Sequence, residues 1–165
     1  GERWEKRGKR MDEQIDILKG LMNGEYYSFK GEFYDIPELK LCPTPSKAVP
    51  ILIGGHSKLA LKRAARIGDG WISAGITLDE TKEFIDQINI FRKEYGTLDH
   101  PNYQFQVMGE AAYSPDGIKN LEDLGATEVI VAFRNAYEGG KDERTLDGMI
   151  AEMNWYAEEV INKSR

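Results

Sequence analysis

Apolar residues in this chain follow two different spacings, and the spacing changes several times along its length. Met11, Ile15, Leu18 and Met22 recur every three or four positions, which predicts an amphipathic helix over 2–22, closed by Asn23-Gly24. From 25 to 49 that period is lost. Tyr26, Tyr27, Phe29, Phe33 and Tyr34 surround Lys30-Gly31, as in a short hairpin or an extended aromatic excursion. Pro37, Pro43 and Pro45 then predict an irregular approach to the next segment.

Beyond this point strand and helix signatures alternate. A short apolar run at 49–53 is followed by a helical stretch over 57–67 that stops at Gly68, and 70–73 is again strand-like. Thr77 and Glu80 have capping-box spacing ahead of a stripe of Phe84, Ile88, Phe91 and Tyr95, ended by Gly96. A strand over 103–111 is followed by Ser114-Pro115, which opens a helix carrying Ile118, Leu121 and Leu124. The run 127–133 predicts a strand, Gly139-Gly140 a loop, and Leu146, Met149, Ile150, Met153, Tyr156 and Val160 a closing helix.

The pattern is therefore one leading helix and four strand–helix units in a single α/β domain over 1–165, with a parallel sheet and right-handed crossovers. The runs 49–53 and 128–133 are apolar at successive positions, as expected of strands covered on both faces. Periodicity alone fits an open doubly wound sheet and part of a (β/α)8 barrel equally.

Composition narrows the partners. The 165 residues carry a formal net charge of −6, the wrong sign for a general binder of nucleic acid or of an anionic membrane surface. No run approaches the roughly 18 apolar residues of a membrane span, and no signal peptide is evident, so a cytoplasmic protein is expected. The single cysteine, Cys42, allows no disulfide within the chain.

The candidate chemistry lies at 50–57, Pro-Ile-Leu-Ile-Gly-Gly-His-Ser, directly before a helix. Glycines let a backbone approach an anion closely, and the first-turn N–H groups of the helix have no carbonyl partner of their own. Gly54, Gly55 and Ser57 thus suit a phosphate, with Ser57 able to cap the helix and donate its hydroxyl. By spacing alone they serve equally well as a ligand-free glycine turn with a serine cap. His56 is either a contact to phosphate or cofactor ring, or an exposed loop residue. Lys58, Lys62, Arg63 and Arg66 read as the solvated face of a helix. No Gly-x-Ser-x-Gly elbow, Walker loop, Rossmann fingerprint or Cys/His metal spacing occurs, so no metal is expected.

Residues 50–71 resemble the luciferase-like monooxygenase family, most of all its members that use the deazaflavin F420. The likeness extends to Arg7, Arg10 and Glu13 as an Arg-x-x-Arg-x-x-Glu helix, to Phe29-Lys30-Gly31-Glu32-Phe33-Tyr34 with Pro43-Thr44-Pro45, and to Leu124-Gly125-Ala126-Thr127-Glu128-Val129. It implies the C-terminal half of a (β/α)8 TIM barrel, with the first four strands missing. A whole barrel needs about 250 residues.

The resemblance further implies that Gly54, Gly55, His56 and Ser57 grip the phosphate of F420, or alternatively FMN, with Ser73, Ala74 and Gly75 in the neighbouring loop. Redox chemistry in such a protein belongs to the cofactor, and no catalytic acid or base is named in this half. The expected function is flavin- or deazaflavin-dependent oxidation or monooxygenation of a small organic substrate. The alternative is a non-catalytic half-barrel that self-associates and at most binds a phosphate-bearing ligand, and an unrelated doubly wound domain for a phosphorylated metabolite is the third reading. Unpaired edge strands and an exposed apolar barrel interior would favour a homodimer or higher homo-oligomer.

Overall fold

The computed structural model describes residues 4–134 and 143–164. Two compact units emerge, Gly1–Ile51 and Leu52–Arg165. The loop expected at Gly139-Gly140 lies outside the described residues.

In the first unit α1 spans Arg7–Met22. It starts later than the spacing predicts, because Lys6 takes a left-handed φ of 58° and offers no side-chain cap. β1 (Tyr27–Lys30) and β2 (Asp35–Leu39) pair antiparallel, and the Gly31 N–H donates to the Tyr34 carbonyl at 2.8 Å. The spacing of Arg10 and Glu13 places both on one face of α1, above this hairpin. The Glu13 carboxylate accepts from three successive N–H groups, those of Glu32 (2.7 Å), Phe33 (3.0 Å) and Tyr34 (3.1 Å). The Arg10 guanidinium lies 5.7 Å from the centre of the Phe33 ring. A Cβ at Gly31 would collide with the same Glu13 carboxylate and with the Phe29 ring, so a larger residue there would have to displace the clasp.

The helix motif thus has a structural use: it clasps the hairpin tip. Glu13→Ala is expected to leave three amides without their acceptor, at about 1–3 kcal/mol for a buried group and less for these partly exposed ones. Hydrogen exchange at residues 32–34 should accelerate about tenfold, a change of ~1.4 kcal/mol in opening free energy. Unchanged exchange would show that the hairpin holds without the clasp.

In the second unit β3 (Leu52–Gly54), α2 (Lys58–Ile67), β4 (Gly70–Ile72), α3 (Leu78–Tyr95), β5 (Gln104–Val107), α4 (Pro115–Asp123), β6 (Glu128–Val129) and α5 (Leu146–Tyr156) follow in order. A short 3₁₀ turn at Glu110–Tyr113 precedes α4, and a wider helical turn at Ala157–Ile161 follows α5. The strands lie in the order β3-β4-β5-β6, all parallel. This order separates the two architectures left open by periodicity. A doubly wound sheet needs a reversal of strand order to place helices on both faces. A sheet that advances one strand at a time through right-handed crossovers keeps its helices on one face, as in a barrel wall.

That one-sidedness is written in the register. Ile53, Trp71 and Phe105 lie side by side and are buried, together with Leu61, Ala64 and Ala65 of α2 and Ile85, Ile88 and Phe91 of α3. The alternate positions, Leu52-Gly70-Gln104 and Gly54-Ile72-Gln106-Glu128, occupy the other face. On that face Gln106 Nε2 donates to Glu128 Oε2 at 2.5 Å. Two expectations are corrected here. β3 is apolar on both faces, with Leu52 on one and Ile53 on the other, but β6 puts Glu128 on the open face, which mixes Leu52 and Ile72 with Gln104, Gln106 and Glu128 rather than exposing an apolar interior.

The strands are also shorter than predicted. Pro50 has no N–H to give a ladder, and pairing in β3 starts at Leu52. The 103–111 run yields to the 3₁₀ turn after Gly109, whose Cβ position is filled by the Ile76 carbonyl oxygen. On α3 the buried stripe is Thr81, Ile85, Ile88, Phe91 and Arg92, turned from the predicted one, and Tyr95 is exposed. Of the predicted closing stripe Tyr156 and Val160 are buried and Met149 is half-buried, whereas Leu146 is 71% and Met153 57% exposed.

Candidate functional site

All four parallel strands end at the same edge, at Gly54, Ile72, Val107 and Val129. The turn 55–57 and the loop 73–77 leave that edge side by side.

Gly55 sits at φ +109°, a region that L side chains avoid, and a Cβ there would approach the Ala60 Cβ to 3.1 Å. Gly54 is under no such demand, since its Cβ would meet Ile72 Cγ2 at an ordinary 3.6 Å. Ser57 caps α2, its Oγ accepting from the Ala60 N–H at 3.3 Å and its carbonyl from the Leu61 N–H at 3.0 Å. The N–H groups of Lys58 and Leu59, ahead of Ala60, have no intrahelical acceptor.

The electrostatics of that end are distinctive. α2 has no acidic residue in its first turn, whereas α3 carries Asp79 and Glu80, α4 Asp116 and α5 Asp147. The other α-helices of this unit complement their own positive ends with a carboxylate, and α2 does not. Lys58 adds positive charge next to the turn. Lys62 instead lies 5.0 Å over the Phe91 ring, away from any anion role.

Trp71, fully buried, holds the turn from below. Its Nε1–H donates to the Gly55 carbonyl at 3.0 Å, and its ring packs against Phe84 with centroids 5.7 Å apart. His56 stacks on Phe84 as well (5.0 Å, 18° between planes), and its Nε2 accepts the Ala74 N–H at 3.4 Å. The turn and the neighbouring loop are thereby joined through one imidazole.

Ser73 is buried and belongs to the sheet: its N–H donates to the Gln106 carbonyl (3.0 Å) and its Oγ accepts from the Met108 N–H (2.9 Å), leaving only its hydroxyl proton to give elsewhere. Ala74 spends its N–H on His56. Gly75, at φ +61° with open space beyond its Cβ position, lines a hollow of about 730 Å³ with Ile76, Thr77, Asp79, Glu110 and Ala111. At the start of α3 the Thr77 N–H (2.9 Å) and hydroxyl (3.1 Å) both donate to Glu80 Oε2, which holds the Glu80 carboxyl below the usual carboxylate range, with a smaller contribution from His56.

The predicted residues 54–57 and 74 therefore come together, with Ser73 turned toward β5 and Gly75 toward the hollow. Sequence reasoning did not connect to the turn the three residues that organise it, Trp71, Phe84 and Glu80. The signal for Glu80 was present in its capping-box spacing, but nothing in the linear sequence links Trp71 to Gly55. Among the described residues no group of three or more His, Cys, Asp or Glu is placed to hold a metal, and no helix is long and apolar enough to cross a membrane.

The luciferase-like monooxygenase family model matches residues 1–142. An uncharacterised protein of Mycobacterium tuberculosis is 44% identical over 158 residues, 96% of this chain and 54% of its own length. The FMNH2-dependent dimethylsulfone monooxygenase of Pseudomonas fluorescens is 32% identical over 91 residues, 53% of this chain and 25% of its own length. Among solved structures, an F420-dependent secondary alcohol dehydrogenase in complex with an F420-acetone adduct superposes with a TM-score of 0.56 at 21% identity, over 74% of this chain and 38% of the other. That likeness is one of fold. The chain spans about half the length of the mycobacterial relative.

Proposed function

The chain belongs to the luciferase-like monooxygenase family, and on that premise we propose that residues 54–57 hold the phosphate of a flavin-type cofactor, F420 or FMN, in an oxidoreductase that acts on a small organic substrate. The observation that carries this reading is the start of α2: a helix end with no carboxylate of its own, preceded by a glycine that only glycine can be. A phosphate suits it in size and sign.

In this reading the N–H groups of the turn and of Lys58 and Leu59 donate to the phosphate oxygens, and the Ser57 hydroxyl adds its proton. Trp71 keeps the Gly55 carbonyl turned inward, so that the amide side of the turn faces the ligand. Ser73, Ala74 and Gly75 form the adjoining wall, Gly75 through its backbone. When bound, the cofactor supplies the hydride or oxygen chemistry. This chain's residues anchor and orient it, and the groups that meet substrate belong to the rest of the barrel.

A second reading, a half-barrel that self-associates and binds at most a phosphate-bearing ligand, draws on a different observation. Among the described residues β3 and β6 each have a single strand neighbour, and Leu146, Ile150, Met153 and Trp155 are exposed. Analytical ultracentrifugation tests both together, with absorbance followed at the bands of F420 and then of FMN. Co-sedimentation of either cofactor with the protein supports the proposed phosphate site and names the ligand. A dimer that leaves both cofactors behind favours the second reading, and a monomer that binds neither overturns both.

A further inference from the structure

His56 stands between an N–H donor and a carboxylate. The Ala74 N–H donates to its Nε2 at 3.4 Å, which requires a neutral ring with the proton on Nδ1. From α3 the Glu80 carboxylate, held below the usual carboxylate range by its two hydrogen bonds from Thr77, interacts electrostatically with the same ring. Phe84 beneath and Trp71 at 6.0 Å to the side hold the imidazole but carry no charge. Glu80 on α3 is a charged group that interacts with His56, and Lys58 lies two positions further along the chain.

We propose that His56 is a positioning residue for the phosphate site: in its neutral form it ties the loop 73–77 to the turn 54–57, and its protonation releases that loop. The ligand part of this inference rests on the phosphate reading of the turn. The tether itself does not. A protonated imidazole has two N–H donors and no acceptor, so the Ala74 N–H loses its partner and the ring is drawn toward Glu80.

The ligand-free protein gives the first test. ¹⁵N NMR at pH 8 should show the Nδ1–H tautomer of His56, and the Ala74 amide should shift and lose exchange protection along the same titration curve as the ring as pH falls to 5. A His56 ring with its proton on Nε2 at pH 8, or an Ala74 amide indifferent to that titration, overturns the proposal.

The second test measures FMN affinity. His56→Gln keeps an acceptor at the reach of Nε2 but cannot be protonated, and His56→Phe keeps the stacking but offers no acceptor. At pH 8 the Gln variant should lose less affinity than the Phe variant, which should bind about tenfold more weakly than the parent, the loss of roughly one hydrogen bond's ordering. At pH 5 the parent should weaken relative to the Gln variant, a comparison that cancels the titration of the FMN phosphate itself. Tighter binding by the parent than by the Gln variant at pH 5 would make His56 a direct cationic ligand and overturn the positioning role. If FMN and F420 both fail to bind at any pH, the phosphate reading fails, while the NMR result still decides the tether.

Discussion

Trp71→Ala is expected to cost the second unit about 3–5 kcal/mol, the range for removing a large buried aromatic side chain. The side chain is fully buried in the row Ile53-Trp71-Phe105, and packs on Phe84 of α3. Little around it can collapse into the cavity, because the sheet on one side and α2 and α3 on the other are already close-packed. The indole also donates to the Gly55 carbonyl, so its loss leaves that acceptor without this donor as well as opening a hole. A native domain is stable by only about 5–15 kcal/mol, so most of the margin would disappear. Equilibrium urea denaturation followed by circular dichroism measures this, and Trp71→Phe separates the two contributions by keeping ring volume while removing the N–H. A loss below about 1 kcal/mol for Trp71→Ala would mean that the helix layer is not anchored on this residue.

Gly55→Ala carries the second large effect, on binding more than on folding. The backbone at φ +109° is strained for any L residue, at a cost of about 1–3 kcal/mol, and the new Cβ would press on Ala60 at 3.1 Å. The simplest relief is for the turn to rotate, which takes its N–H groups off the ligand. Affinity for the phosphate-bearing cofactor should fall at least tenfold, or about 1.4 kcal/mol, in fluorescence-quenching titrations with F420 or FMN. Gly54→Ala serves as the folding control, because its Cβ meets only ordinary contacts and stability should change by less than about 0.5 kcal/mol. Cofactor affinity unaltered in Gly55→Ala, alongside the expected loss of stability, would remove the turn from the binding site.

The local signals in the chain were reliable wherever a single residue answers a single backbone need. Ser57, Thr77 with Glu80, and Ser114 ahead of Pro115 cap the helices they were expected to cap, and Gly96 ends α3 in the left-handed conformation. Each of these is a short-range hydrogen bond or a steric rule, complete within four residues. The candidate turn was legible for the same reason. Strand extents were not, because pairing length depends on what lies alongside: β6 forms only Glu128–Val129 out of the run 127–133, with a partner on one side alone among the described residues. The predicted stripe of α3 was misplaced because Thr81 and Arg92 are buried by their own local bonds, Thr81 Oγ1 to the Thr77 carbonyl and Arg92 to the Thr97 and Leu98 carbonyls.

From its residues alone this chain is a strand–helix alternator with a capped, glycine-led helix start suited to an anion, and its resemblance to luciferase-like proteins is readable in the same stretches. Those properties reside in spacing and side-chain type. Three others do not. The choice of barrel wall over doubly wound sheet came from strand order, because identical local patterns serve both and only neighbour relations separate them. The mixed character of the open sheet face came from register, which sets Gln106 beside Glu128 across a gap of 22 residues. The shape of the candidate site came from Trp71 and His56 reaching across β4 and its loop, contacts between segments 16 and 18 residues apart that no local rule specifies.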